Sequence, residues 1–205
     1  PITNQHRRRL RAVWRSAGWP CQDMVEVELL AAGLLARGVD VNGREAVRVT
    51  DAGIQLLAAT LQKNRAVRDA HEALVEQVAV HMQRAGRIVW RGLTLRAGLH
   101  LAQSPNAPNV PEDPNSPITW AMAMPDVFSI RNTTVATYVE PIVHEIKVRR
   151  ADLLGDVRQP HKREAYLALS SECWYVLKAG IGDASDVPDA CGVMVSHDMG
   201  LVTAR

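Results

Sequence analysis

A chain of 205 residues is long enough for one large domain or two small ones, and 47% apolar with 22% charged residues excludes a disordered tail. Lys and Arg number 24 against 22 Asp and Glu, a formal net charge of +2, so total charge alone singles out no polyanionic partner. Cys21, Cys173 and Cys191 are far apart and form no CxxC pair, which argues against a disulfide framework and a structural zinc site. No signal-peptide pattern is visible and no apolar run nears the ~20 residues of a membrane span, so a cytoplasmic protein without membrane contact is expected.

Residues 4–17 predict a basic amphipathic helix with Leu10, Val13, Trp14 and Ala17 on one face, stopped by Gly18 and Pro20. Arg7, Arg8, Arg9, Arg11 and Arg15 crowd it, as Lys147, Arg149, Arg150, Arg158, Lys162 and Arg163 crowd a later stretch. Each run reads either as a local positive field or simply as a solvated face. Residues 21–36 predict a second helix, with Gly38 where a C-terminal cap belongs. Residues 39–49 turn to short β-prone pieces around Asn42-Gly43, a dipeptide that favours a tight hairpin turn because both residues tolerate positive φ. Thr50-Asp51 then caps a helix running through Ile54, Leu57 and Leu61. Helix, helix, hairpin, helix is the order of a winged-helix module, and Val49 to Leu57 resembles the wing-to-helix junction of winged-helix regulators. This small α+β module is expected over residues 1–64.

A further helix is predicted from Arg65 to Arg84, with Val67, Ala70, Leu74, Val78 and Met82 at helical spacing and Gly86 ending it. Residues 87–95 alternate as a strand. Residues 103–117 hold five prolines and predict an exposed loop. Residues 120–130 and 138–148 read as two strands joined through Arg131-Asn132-Thr133-Thr134. A helix over 163–171, a strand over 173–177 and a hairpin of 192–196 with 200–203 complete the chain. From residue 65 the order is α, β, β, β, α, β, β, which predicts an α/β domain with a mixed sheet.

The chemistry concentrates in Met124-Pro125-Asp126 and His144-Glu145-Ile146-Lys147. Strand alternation points Glu145 and Lys147 to one side and Ile146 to the other. Two opposite charges thus leave a strand flanked by Val143 and Val148, where an unpaired charge is costly. Asp126, at the edge of the partner strand, can converge on the same point. Two carboxylates and the Ile146 carbonyl form an all-oxygen set suited to Mg²⁺ or Mn²⁺. Without that convergence, Glu145 and Lys147 are only an intrastrand salt bridge worth ~0–1 kcal/mol.

Pro125-Asp126 followed by Glu145-Ile146-Lys147 resembles the signature of the PD-(D/E)XK nuclease superfamily, and the element order resembles its αβββαβ restriction-endonuclease-like core. The run from Glu145 to Asp156, with Tyr166 and Trp174-Tyr175 beyond it, is similar to the MmcB-type DNA-repair branch. The resemblance implies a metal-dependent DNA endonuclease using Mg²⁺ or Mn²⁺, in repair or mobile-element defence. Asp126 and Glu145 would be metal ligands with the Ile146 carbonyl, and Lys147 the catalytic lysine. It further implies Glu76 as a weaker ligand, from its place before Gly86 with Glu72 one turn earlier, and Lys162 as an auxiliary group near the scissile phosphate. Arg149 and Arg150 would grip the DNA backbone. The alternative is a winged-helix DNA-binding regulator with a silent nuclease fold, and a third use of the N-terminal module is protein contact or homodimerisation. Of the remaining polar residues, His144 is turned away from Glu145, and His71, His81, His100 and His161 fall at no ligand spacing. Asp152 and Asp156 read either as groups that support the site residues from behind or, preferably, as helix N-terminal acids, and Trp14, Trp19 and Trp90 as core.

Overall fold

The computed structural model describes residues 1–16, 18–100, 118–198 and 200–205, so the expected proline-rich loop at 103–117 lies outside the described residues. Two units emerge, residues 1–68 and 69–205. In the first, Thr3 caps helix α1 (Asn4–Arg15) by accepting the His6 N–H at 3.5 Å. Leu10 and Val13 turn inward, while Trp14 and Trp19 stand exposed rather than in the core. The buried stripe repeats at His6, Leu10 and Val13, and Trp14 falls just off it.

Helix α2 (Met24–Ala31) stops well short of the predicted Ala36. Gly33, at φ +67°, turns the chain, and Leu35–Val39 becomes strand β1, paired antiparallel with β2 (Glu45–Val49). As a strand, Leu35 is buried with Leu10, Leu29, Val47 and Leu57. Gly38 pairs with Ala46 inside the hairpin and caps no helix. At the tip, Gly43 N–H donates to the Asp40 carbonyl at 3.0 Å and Gly43 alone of the Asn42-Gly43 pair takes positive φ. The connection is therefore a longer loop than the two-residue turn expected. Glu26 is buried here, accepting N–H bonds from Cys21 at 2.5 Å and Gln22 at 3.1 Å and pairing with Arg37 at 3.1 Å. Burial pushes its carboxyl pKa up, but those donors outweigh it and hold the group below its ordinary value.

The two helices expected around residue 64 are one, α3 (Asp51–Arg84), because nothing between Leu61 and Arg65 breaks the pattern. The division between units falls inside it, at 68/69.

The second unit is mixed α/β. Its sheet has the order β10-β9-β8-β7-β6-β3, drawn from β3 (Arg87–Arg91), β6 (Val127–Arg131), β7 (Ile142–Lys147), β8 (Glu172–Lys178), β9 (Gly192–His197) and β10 (Gly200–Thr203). Strands β7, β8 and β9 run parallel and the remaining pairs antiparallel. Leu74, Val78 and Met82 of α3 pack on one face against Val127, Ile146, Val176 and Met194. On the other face lie α4 (Arg150–Val157) and α5 (Pro160–Leu169), with Leu153, Ala165 and Tyr166 against Val143, Tyr175, Leu177 and Val193.

Two predicted strands are broken. Residues 87–95 divide between β3 and β4 (Leu95–His100), and residues 120–130 between β5 (Ile118–Ala123) and β6. Strands β4 and β5 pair with each other as a separate ribbon. Pro125, which has no N–H to give a ladder, stands at the second break. Helix α4 was not foreseen. Trp90 is partly exposed and leans on Phe128, with centroids 6.0 Å apart. Among the described residues, no helix is long and apolar enough to cross a membrane.

Candidate active site

Strand β7 is buried from Val143 to Lys147 because both faces of the sheet are covered there. Its alternation sends Val143, Glu145 and Lys147 towards α4 and α5, and His144 and Ile146 towards α3. The flanking strand β6 ends at Val127, opposite His144, which leaves Ile146 without a strand partner on that side. Asp126 fills the gap. Its Oδ2 accepts the Ile146 N–H at 2.7 Å, so a carboxylate stands where a backbone carbonyl would otherwise continue the ladder. Within a strand residue, N–H and C=O point to the same flank, so the Ile146 carbonyl also faces Asp126.

Glu145 has only 5% of its side chain exposed and Lys147 10%. Glu145 Oε1 accepts from Lys147 Nζ at 2.5 Å and from Lys162 Nζ at 2.6 Å. The Tyr166 hydroxyl lies 2.9 Å from Glu145 Oε2 and 3.1 Å from the Met124 carbonyl, so its single proton serves two acceptors. Lys162 Nζ also donates to Asp156 Oδ1 at 2.6 Å, and Lys147 Nζ stands 3.4 Å from that oxygen. Asp156 Oδ2 takes the Tyr175 hydroxyl proton at 2.8 Å. Glu145 and Asp156 therefore share the two ammonium groups of Lys147 and Lys162, while Asp126 accepts a backbone N–H beside them.

These contacts sort the titrations. Burial and the nearby Glu145 charge raise the Asp126 pKa above the ordinary carboxylate value, against the Ile146 N–H, which lowers it. Burial also acts to raise Asp156, but Lys162, Lys147 and the Tyr175 hydroxyl outweigh it and hold that carboxyl low. Burial works against the Lys162 charge, yet Glu145 and Asp156 keep its pKa above normal. Tyr166 is pushed up by burial and by Glu145, and stays a neutral donor.

Asp126, Glu145, Lys147 and Lys162 thus meet in one place. Glu76 does not join them: it is exposed and ion-paired with Arg91. One turn and a residue earlier on α3, His71 sits with Nε2 3.4 Å from Asp126 Oδ1 and Nδ1 3.5 Å from Glu72. Arg149 is held by Asp152 at 2.7 Å and Arg150 by Asp186 at 2.8 Å. Asp156 lies in the last turns of α4, where it can cap nothing, and its role is to bind both lysines and Tyr175. His144 is fully buried with neither ring nitrogen hydrogen-bonded.

Sequence reasoning does not find His71 or Tyr166 at the site, and for Asp156 it prefers helix capping over the supporting role that the structure shows. Lys162 and Tyr166, four apart on α5, were the readable signal, since that spacing places both on one helix face. The distance in sequence between His71 and Asp126 left no such trace.

Among the described residues, no group of three or more His, Cys, Asp or Glu side chains is arranged to hold a metal ion. The donors nearest to such a set are Asp126 and Glu145 with the Ile146 carbonyl, and His71 beside Asp126. Burial first, and the Glu145 charge second, disfavour an ionised Asp126, a cost that a hard divalent cation would offset; carboxylate and carbonyl oxygens are the donor type that suits Mg²⁺ or Mn²⁺. Glu145 would have to exchange a lysine for the ion. No protein-family model matches this chain, and neither does a curated protein or a solved structure.

Proposed function

We propose that the second unit is a metal-dependent DNA endonuclease that hydrolyses phosphodiester bonds, built on a restriction-endonuclease-like core. The observation that carries the reading is the 2.7 Å bond from the Ile146 N–H to Asp126, which brings that carboxylate beside the buried Glu145 and Lys147. The topology supports it too. With the β4–β5 ribbon and α4 set aside, the order from α3 through β3, β6, β7, α5 and β8 is αβββαβ. The first unit, on this reading, is a winged-helix-like module that positions nucleic acid or a protein partner.

Asp126, Glu145 and the Ile146 carbonyl would hold Mg²⁺ or Mn²⁺, and a cation bound there supplies Lewis-acid polarisation of the phosphodiester and a more acidic water. The chain's own groups do the rest. Lys147, fixed between Glu145 and Asp156, offers an ammonium donor to the non-bridging oxygens or to the attacking water. Lys162 is the second donor, and its place is set by the same two carboxylates. Tyr166 holds Glu145 to the Met124 end of the ribbon.

One observation favours a silent nuclease fold in a DNA-binding regulator: both Glu145 oxygens are taken up by the protein's own donors. In the first unit α1 is rich in arginine, whereas α2 carries no cation and exposes Met24 and Val27. The deciding experiment incubates the full chain with plasmid, single-stranded and branched DNA plus Mg²⁺ or Mn²⁺, beside Lys147→Ala and Asp126→Asn. Metal-dependent cleavage lowered by about 10²–10³ in either variant is expected. If no substrate is cut with either metal, the enzyme reading falls; binding that persists in EDTA without cleavage then supports the regulator.

A further inference from the structure

The outer face of the β4–β5 ribbon carries an unusual row. Ile118, Trp120, Met122 and Met124 follow one another at every second residue, and all are exposed, Trp120 by 58% and Met122 by 66%. The opposite face accounts for the ribbon's stability: Ala97 and Ala123 are buried, with Leu99 and Ala121 packed beside them in the core shared with Tyr166 and Ala165 of α5. The outer row is therefore not needed to hold the ribbon down. Four large apolar side chains left side by side in water mark a binding surface.

Three features specify its ligand. Gly98 stands opposite Trp120, and a Cβ there would come within 3.1 Å of Ile118 and 3.5 Å of the indole. The glycine therefore lets the indole lie close over β4, while 58% of Trp120 stays exposed. Arg96, opposite Met122, places its guanidinium 5.2 Å from the Trp120 ring centroid. No carboxylate belongs to this row, so its one described charge is positive. Finally, the row ends at Met124, two residues before Asp126, and the Met124 carbonyl is the second acceptor of the Tyr166 hydroxyl that touches Glu145. The strip is apolar and carries one indole and one guanidinium, and its last residue stands two positions before Asp126.

We propose that this face is a base-stacking platform that takes a single-stranded or unpaired stretch of nucleic acid and delivers its backbone to Asp126 and Glu145. Bases stack on Trp120 and slide over the adaptable Met122 and Met124, while Arg96 serves a neighbouring phosphate or base face. Bases inside a duplex are stacked on each other and cannot use it. The direction of delivery rests on the nuclease reading; the stacking itself does not.

The test measures anisotropy of a fluorescein-labelled oligothymidine of about 20 nucleotides, and of a duplex of equal length, with the full chain in EDTA. The single strand is expected to bind more tightly. Trp120→Ala should weaken it by about tenfold or more, Arg96→Gln by less, and Trp120→Phe should keep most of the affinity, which also shows that the ribbon remains folded. Equal affinity of Trp120→Ala and the parent chain, or a preference for duplex, overturns the proposal. So does a concentration-dependent dimer in sedimentation that Trp120→Ala abolishes, because a second copy then covers the face. Parallel cleavage assays with Mn²⁺ separate the two readings. Trp120-dependent binding without any cleavage keeps the platform and removes the nuclease. Lys147-dependent cleavage that ignores Trp120 and cuts duplex equally does the reverse.

Discussion

His144 is expected to make the second unit acid-sensitive. Its ring is fully buried with both nitrogens unpartnered, and burial, aided by the charges of Arg87 and His81, holds its pKa down at about 3 against an ordinary 6.5. The folded pKa lies below the unfolded one, so as pH falls the unfolded chain takes up the proton first. Stability is therefore whole above about pH 6.5 and drains away down to about pH 3, where the folded histidine protonates as well. At 1.36 kcal/mol per pH unit the loss from this one group is about 2 kcal/mol at pH 5 and approaches about 5 kcal/mol near pH 3. His144→Leu has nearly the same volume, removes the titration and removes two orphaned polar atoms, so at pH 7 it should be neutral or stabilising. Urea unfolding of both chains from pH 7 to pH 5 reads the effect as a difference, in which every other titrating group cancels. The advantage of His144→Leu should grow by about 2 kcal/mol over that range. A gap that stays constant with pH would show that His144 finds a proton acceptor or water in solution, and the reasoning would be wrong.

Other outcomes follow from the same contacts. Tyr166→Phe leaves Glu145 Oε2 without its donor and should cost about 1–3 kcal/mol in thermal or urea unfolding, with cleavage falling while the Lys147 contact is retained. Glu26→Ala strips the Cys21 and Gln22 N–H groups and Arg37 of their shared acceptor, so the first unit should lose about 3–5 kcal/mol, read by hydrogen exchange of residues 20–49. Because the folded pKa of Glu26 is depressed, the stabilisation it brings is present above about pH 4.5 and lost as pH falls further. Glu26→Gln should remove that loss. Asp156→Ala frees Lys162 from one of its two anchors, and cleavage should drop by about tenfold or more while Asp156→Asn, which keeps an acceptor for Tyr175, unfolds closer to the parent.

The parts of this molecule that could be read from sequence are those where local pattern and tertiary context agree. Strand β7 is such a part: period-two alternation alone put Glu145 and Lys147 on one side, and burial on both faces of the sheet gave that geometry its weight. The β1–β2 hairpin is legible from Asn42-Gly43, but its first strand is read as helix because Leu34, Leu35 and Ala36 are good helix formers and only Gly33 marks the stop. The junction at residue 64 misled in the opposite direction, since two apolar patterns in slightly different phase still make one helix when no residue interrupts them. Helix α4 is short, polar and held by Arg149, Asp152 and Asp156 through side chains, which leaves little periodicity to detect. His71 reached the site through folding alone. The β-prone run from Trp120 to Ile130 hid the most informative feature, a change of sheet at Pro125.

That change of sheet has a consequence for how the protein can diverge. Asp126 is indexed to β7 by its own hydrogen bond to Ile146, whereas Ile118–Ala123 takes its register from β4 and packs on α5. A two-residue slip, lengthening or outer-face substitution in the ribbon keeps its inner alanines inward and leaves the carboxylate where it is. The surface ahead of Pro125 and the acid behind it are thus held by different contacts, so substitutions on the outer face of the ribbon should leave the Asp126 to Ile146 bond in place.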